Sequence, residues 1–424
     1  MKNYLLRFFT IIYCLFVILV FAACARNSND IPTVTMWGWS ETTIRAVEHR
    51  ITERFANEFN FEFTSFGWND YGTRLMTGLV IGSDLPDIVW IYRDNRMNTF
   101  MAGDFVDLSQ PPFNFDINDQ FPHLHNGLID HNGRVIGVEW SLNSTGLAYK
   151  RDLAEIHLGT SDPNELSQLL HDWDAFIELG RLVNENSNGS VFMFPSITDV
   201  AQIAFSQHSD PIVIGERINV SNVRAIFDLL IRFRDNNIYN RTITGGPSYN
   251  ATFADDYHIF FMCSTWVPAY RIRLFDPDGA GRWGLMVPPG GGFVTGGVVL
   301  AIPSSSENKE QAWEFIRWFL LSHEGGEVNR SITNEFIAFK PLYDDPNFAS
   351  NEDYFFAGQD IGNKFFNELF ENVNVRALTR FDSAVLDSYN FVVQQINYNN
   401  NLGLDAAVQI FINELRNIHP ELTY

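Results

Sequence analysis

Tryptophans placed where strands should end are the residues of this sequence best suited to chemistry. Trp37-Gly-Trp39 closes a short apolar run that begins at Thr33, and Tyr92-Arg93-Asp94 closes a second run, Asp87–Tyr92. Trp140 follows a Gly-x-Glu turn, and Trp266 follows the apolar segment Phe260–Cys263. Rings stack on flat C–H faces, and planar polar groups between them meet hydroxyls, the combination that sugars present. This is the chemistry of recognition. The two tryptophans about Gly38 are expected to divide, one facing a ligand and one packing; Asp94 either accepts hydroxyls or pairs with Arg93 on the surface.

Two hydrolase motifs are absent from the sequence. Neither Gly-x-Ser-x-Gly nor His-Glu-x-x-His occurs. A glycoside hydrolase would need two carboxyls about 5–10 Å apart; Asp255/Asp256 and Glu139/Asp94 could be recruited, but nothing singles them out. The glycine run 290–297 lacks the Gly-Lys-(Ser/Thr) of a phosphate cradle. His123, His125 and His131 cluster without ligand spacing, so no metal and no cofactor are expected.

The elements around these residues alternate. A strand at Thr33–Trp37 precedes a helix with Ile44, Val47, Ile51, Phe55 and Phe59 on one face, for which Ser40 is a candidate cap. A strand at Phe61–Phe66, a helix over Asp70–Leu79 and a fully buried strand at Asp87–Tyr92 follow. That order predicts a parallel sheet with right-handed crossovers, and open sheets of this kind bind ligands beyond the carboxyl ends of their strands. Later helical stripes (Trp173, Phe176, Ile177, Gly180, Val183; Val223, Ile226, Phe227, Leu230, Ile231; Ala312, Phe315, Ile316, Phe319, Leu320) continue the pattern. The length, 424 residues, suggests two domains, yet no Pro/Ser-rich linker separates them.

The N-terminus fixes the expected compartment. Lys2 and Arg7 precede the apolar run Phe8–Phe21, and Ala22-Ala23-Cys24 leads into a polar segment. The run is shorter than the roughly 20 residues of a membrane span, so residues 1–23 read as a signal peptide. Cys14 lies inside it, and Cys263, beyond it, is expected to be a buried, inert thiol; with Cys24 these are all the cysteines, leaving no disulfide framework. The formal net charge is −22, and removal of residues 1–23 takes away Lys2 and Arg7 but no acid. Such a surface repels nucleic acid and anionic headgroups.

Val20-Phe-Ala-Ala-Cys24 resembles the lipobox of bacterial lipoproteins, with Phe21 where leucine is usual. The resemblance implies a lipid on Cys24, a tether over residues 24–30 and a membrane partner on the outer face. Further along, several segments resemble the family 1 extracellular solute-binding proteins, which include maltose- and oligosaccharide-binding proteins. Leu75–Val89 is similar to the family's helix, Gly/Pro/Asp turn and strand; Ala102–Leu108 follows in order. Asn132–Ser141 with Gly146–Leu153 resembles its next stretch, with Glu139 where proline is common and Lys150 where asparagine is common. Asp172–Phe176, Met262–Trp266, Trp283–Pro289, Gly296–Ile302 and Asn308–Ile316 complete the series, with Ser264-Thr265 replacing a glycine.

The resemblance implies an α/β fold of the two-lobed periplasmic-binding-protein type (class II), each lobe a mostly parallel sheet flanked by helices. Crossings are expected near Leu142–Leu147, Thr295–Val299 and Asn334–Phe339. One lobe is then 31–144 plus 297–335, the other 145–296 plus 336–424. The implied function is capture of a small solute, a sugar or oligosaccharide, for the permease subunits of an ABC importer. A secreted glycoside hydrolase and a binding protein for a non-sugar solute are the alternatives. Trp266 matches the family's stacking position. Asn143, Glu139 and Phe293 join Trp37, Trp39, Tyr92, Asp94 and Trp140 as ligand candidates, while Arg376 and Arg380 fall in a late segment that folds over the cleft in relatives.

Overall fold

A computed structural model describes residues 31–424 except Asn334, Glu371, Asn372 and Asn374. The signal segment and Cys24 lie outside the described residues. The first sheet starts as its sequence implies. Strand β1 (Thr33–Gly38), helix α1 (Glu41–Phe55), β2 (Asn60–Ser65), α2 (Trp68–Ile81) and β3 (Ile88–Tyr92) alternate, and β1 pairs parallel with both β2 and β3. Ile44, Val47, Ile51 and Phe55 of α1 are buried against this sheet. Ser40 does not cap α1; its hydroxyl lies 2.8 Å from the Thr43 hydroxyl instead.

The sheets are less parallel than expected. β4 (Val138–Glu139), β5 (Ser144–Lys150), a hairpin of β6 (Val213–Ile214) and β7 (Arg217–Ile218), β8 (Phe260–Ser264), β9 (Trp283–Met286), β10 (Phe293–Val294) and β11 (Val298–Ala301) complete the strands used here. The first sheet has the order β2-β1-β3-β11-β4, and β11 runs antiparallel to both neighbours. In the second sheet β5 pairs antiparallel with β8, β9 and β10. The reason is topological. β11 enters the first sheet on its return from the second, so it runs against β3, and no local periodicity in β11 encodes that direction.

Two main cores result. One gathers β1, α1, β3 and helix α6 (Lys309–Leu320). The other packs β5 and β8 under α3 (Trp173–Asn186), α4 (Ile197–Gln207), α5 (Val220–Asp235), α7 (Asp382–Tyr398) and α8 (Leu404–Ile418). Ile337, Leu342 and Phe348, expected with the second lobe, pack into the first core.

Three segments cross between the sheets side by side. The Trp140 N–H donates to Val298 O (2.9 Å), Leu142 N–H to Phe336 O (2.9 Å), Ala338 N–H to Trp140 O (2.9 Å) and Thr295 N–H to Asn143 O (3.3 Å). A fourth segment runs near them: Arg93 Nη2 donates to Arg376 O (3.2 Å), and Leu378 N–H to Asn126 Oδ1 (2.8 Å). Among the described residues no helix is long and apolar enough to cross a membrane.

Candidate functional site

Strand β1 ends at Gly38, where a Cβ would come within 2.6 Å of the Trp90 ring. Glycine therefore lets that ring lie against the backbone, and the chain turns so that Trp39 leaves the strand among other aromatics. Trp39 meets Trp68, Trp90 and Tyr92 edge-on, with centroids 5.0, 5.1 and 6.2 Å away. Trp90 in turn meets Trp140 edge-on at 5.1 Å. Such T-shaped pairs add about 0.5–1.5 kcal/mol beyond area burial and hold each ring at a fixed angle.

These rings form one wall of a cavity of about 690 Å³. The opposite wall comes from the end of β8 and the π-turn Pro268–Ile272, which present Trp266, Tyr270 and Arg271, and from α4, which presents Asp199 and Gln202. Ser141, Asn143, Gly296, Gly297 and Glu335 line it from the crossings. The walls touch where Thr43 Oγ1 donates to the Tyr270 hydroxyl at 3.4 Å. Tyr249 OH donates to Asp199 Oδ2 (2.9 Å), and Trp140 Nε1 donates to Asn329 Oδ1 (2.8 Å), fixing both rings. Asn143 adopts φ +52° and donates from Nδ2 to Ser141 O at 2.7 Å.

Burial sets the protonation of the wall. It pushes Asp199 up to about 7, an effect only partly opposed by the Tyr249 and Thr244 hydroxyls. It pushes Glu335 up to about 8, opposed by the Ser141 hydroxyl.

The sequence candidates separate. Trp39, Tyr92, Trp140, Asn143 and Trp266 line the cavity. Trp37 does not: its ring packs on Phe66 with the Arg74 guanidinium 5.1 Å above it. Phe293 is 1% exposed within the second core, because the β10–β5 pairing turns it inward. Asp94 lines a neighbouring chamber of about 220 Å³ with Arg93 and Arg376. Glu139 is buried in a pair with Arg96, and exposed Arg380 lies 3.7 Å from Glu216.

Trp68, Tyr270, Asp199 and Glu335 were missed, though signals existed. Trp68 follows the end of β2 as Trp39 follows β1, and Tyr270 lies about one turn beyond Trp266. Asp199 is a lone acid in the largely apolar helix Ile197–Gln207. Glu335 stands within the third expected crossing.

The remaining acids named above have partners. Asp255 meets Lys150 and His258, at 3.1 and 2.7 Å, and Asp256 meets Arg282. The three clustered histidines are engaged separately: His123 stands edge-on to Phe370, His125 contacts Gln120 O, and His131 contacts Asn132.

Two α/β lobes joined by several crossings, with an aromatic cavity between them, define a hinged binding protein. The model of the bacterial extracellular solute-binding proteins matches residues 50–356, and the chain belongs to that family. No curated protein matches the sequence. Among solved structures, an extracellular solute-binding protein of family 1 is similar over 91% of this chain and 99% of its own (TM-score 0.79, 17% identity). The GacH receptor of Streptomyces glaucescens, solved unliganded and with acarbose, matches over 93% and 100% (TM-score 0.73, 13% identity). The galacto-N-biose-/lacto-N-biose I-binding protein of the ABC transporter from Bifidobacterium longum, solved with lacto-N-biose, matches over 93% and 99% (TM-score 0.72, 16% identity). At these identities the likeness is one of fold.

Proposed function

We propose that this chain captures a sugar or oligosaccharide in the cavity between its lobes and delivers it unchanged to the permease subunits of an ABC importer. The observation that carries the proposal is the cavity wall: Trp39, Trp68 and Trp140 on one side, Trp266, Tyr270, Asp199 and Gln202 on the other, with Asn143 on a crossing between them. Rings on both sides suit the two C–H faces of a pyranose, and planar polar groups suit its rim of hydroxyls. The sugars held by GacH and by the Bifidobacterium protein support the same solute class.

The lobes, 31–144 plus 297–335 and 145–296 plus 336–424, with Ile337, Leu342 and Phe348 packed into the first, close about the crossings. Residues 1–23 are removed, and a lipid on Cys24 holds the mature chain at the outer face of the membrane. The protein has no catalytic role, since a carrier gains nothing by stabilising a transition state. The engaged state of Glu139, Asp255 and Asp256 supports this against a hydrolase.

The test is a thermal-shift screen of the purified full chain against sugars, amino acids and anions, followed by chromatography of the stabilising ligand after long incubation. A sugar that raises the melting temperature and is recovered intact is the expected result. Stabilisation only by a non-sugar, or cleavage of the sugar, would overturn the proposal.

A further inference from the structure

Two carboxyls on the cavity wall have no ion-paired cation among the described residues. Asp199 is 1% exposed, and hydroxyls alone meet it: Tyr249 OH at 2.9 Å and Thr244 Oγ1 at 3.5 Å. Glu335 is contacted by the Ser141 hydroxyl, and its Oε2 is buried without a hydrogen-bond partner. Some other buried acids of this protein are matched by a cation, Glu139 by Arg96, Asp130 by Arg134 and Asp353 by Arg273; Asp87 and Asp276 instead accept several hydroxyl, amide or indole donors. Arg271 also lines the cavity, and among the described residues no ion pair joins it to either carboxyl. A buried carboxylate without a counter-charge is costly, and Glu335, part-exposed on the cavity wall with one oxygen unpaired, can be matched by a cation that the ligand brings.

The aromatic wall favours the same kind of ligand. Ring faces attract ammonium groups, more strongly where water is excluded, and Trp39, Trp68, Trp266 and Tyr270 surround the space. We propose that the solute is a sugar bearing a free amine, whose ammonium is held by Glu335 against these rings. Asp199 lines the same cavity. This rests on the sugar reading and narrows it to amino sugars that are not acetylated. An ammonium beside Glu335 would hold it ionised, and a charge-assisted hydrogen bond is about twice as strong as a neutral one.

The experiment is calorimetric titration of the purified full chain at neutral pH with three probes of equal length: a glucosamine oligomer, its N-acetylated counterpart and a neutral glucose oligomer. The free-amine probe is expected to bind about tenfold or more tightly than the acetylated one, and Glu335→Gln should erase most of that ratio. Equal or tighter binding of the acetylated or glucose oligomer would overturn the amine assignment and leave the sugar reading standing. Failure of all three to bind, with a non-sugar solute binding instead, would remove both. Should Glu335→Gln fail to fold, the wild-type ratio between amine and acetylated probes decides by itself.

Discussion

Arg96 Nη1 lies 2.8 Å from Glu139 Oε2, and neither side chain reaches solvent. The same guanidinium donates to Gly127 O at 3.2 Å, and its Nη2 lies 3.4 Å from Glu139 Oε1. Gly297 lies over the pair: with φ +119°, a Cβ there would stand 3.0 Å from Glu139 Oε1 and 3.4 Å from Asn143 Nδ2. Glu139 thus anchors one crossing to the end of the next. Removing one partner of a buried ion pair strands the other charge. Arg96→Met should cost about 3–5 kcal/mol in urea denaturation. A further Glu139→Leu change should restore much of it, and a loss under about 1 kcal/mol in the single variant would contradict a structural role.

The two rings of Trp37-Gly-Trp39 should behave differently. Trp39 lines the cavity, so Trp39→Ala should weaken sugar binding by about 1–3 kcal/mol, roughly tenfold or more. Trp37→Ala should leave affinity unchanged and lower stability, because its ring packs on Phe66 beneath Arg74. Parallel titrations and melts of the two variants separate these outcomes.

Stability should carry the mark of the cavity carboxyls. Unfolded Asp and Glu titrate near about 3.9 and 4.3, whereas burial pushes Asp199 up to about 7 and Glu335 up to about 8. The folded state therefore keeps protons that the unfolded chain releases. Their stabilisation is complete below about pH 4 and is lost as pH rises through the folded values, by up to about 1.4 kcal/mol per pH unit for each group. His123, which burial pushes down to about 4, works in the opposite direction below about pH 6.5. The comparison of wild type with Glu335→Gln isolates the carboxyl: wild type should lose stability relative to the variant steadily from about pH 5 to about pH 8 in ligand-free melts. A constant difference would show that Glu335 is ionised throughout.

The anchor is tested in cells. Cys24→Ser should move the protein from the membrane fraction to the soluble one, since a lipid and not a spanning helix is expected to hold it. Retention in the membrane would favour an uncleaved N-terminal helix.

What was legible in the sequence was local. The 3.6-residue stripe of α1 and the strand–helix–strand order predicted the parallel core of β1, β2 and β3. The rule that ligands gather at strand ends led to Trp39 and Tyr92, and applied to β2 it would have led to Trp68. What was illegible depends on distant pairing. The antiparallel entry of β11, the inward turn of Phe293 on β10 and the meeting of Asp199 with Tyr249 join residues tens to hundreds of positions apart. Trp37 and Trp39 could not be told apart without Trp90, whose ring covers Gly38 between them.

The central claim is that the space between the lobes is where the sugar sits, and Trp266 tests it most directly. Its half-buried ring lines the second-lobe wall opposite Trp39, so its loss should affect the ligand more than the fold. The measurement is the dissociation constant of Trp266→Ala for the stabilising sugar, taken with the melting temperature of the empty variant. The account predicts affinity weakened roughly tenfold or more with little change in melting temperature. Unchanged affinity accompanied by a stability loss of about 3–5 kcal/mol, the signature of a core tryptophan, would contradict it.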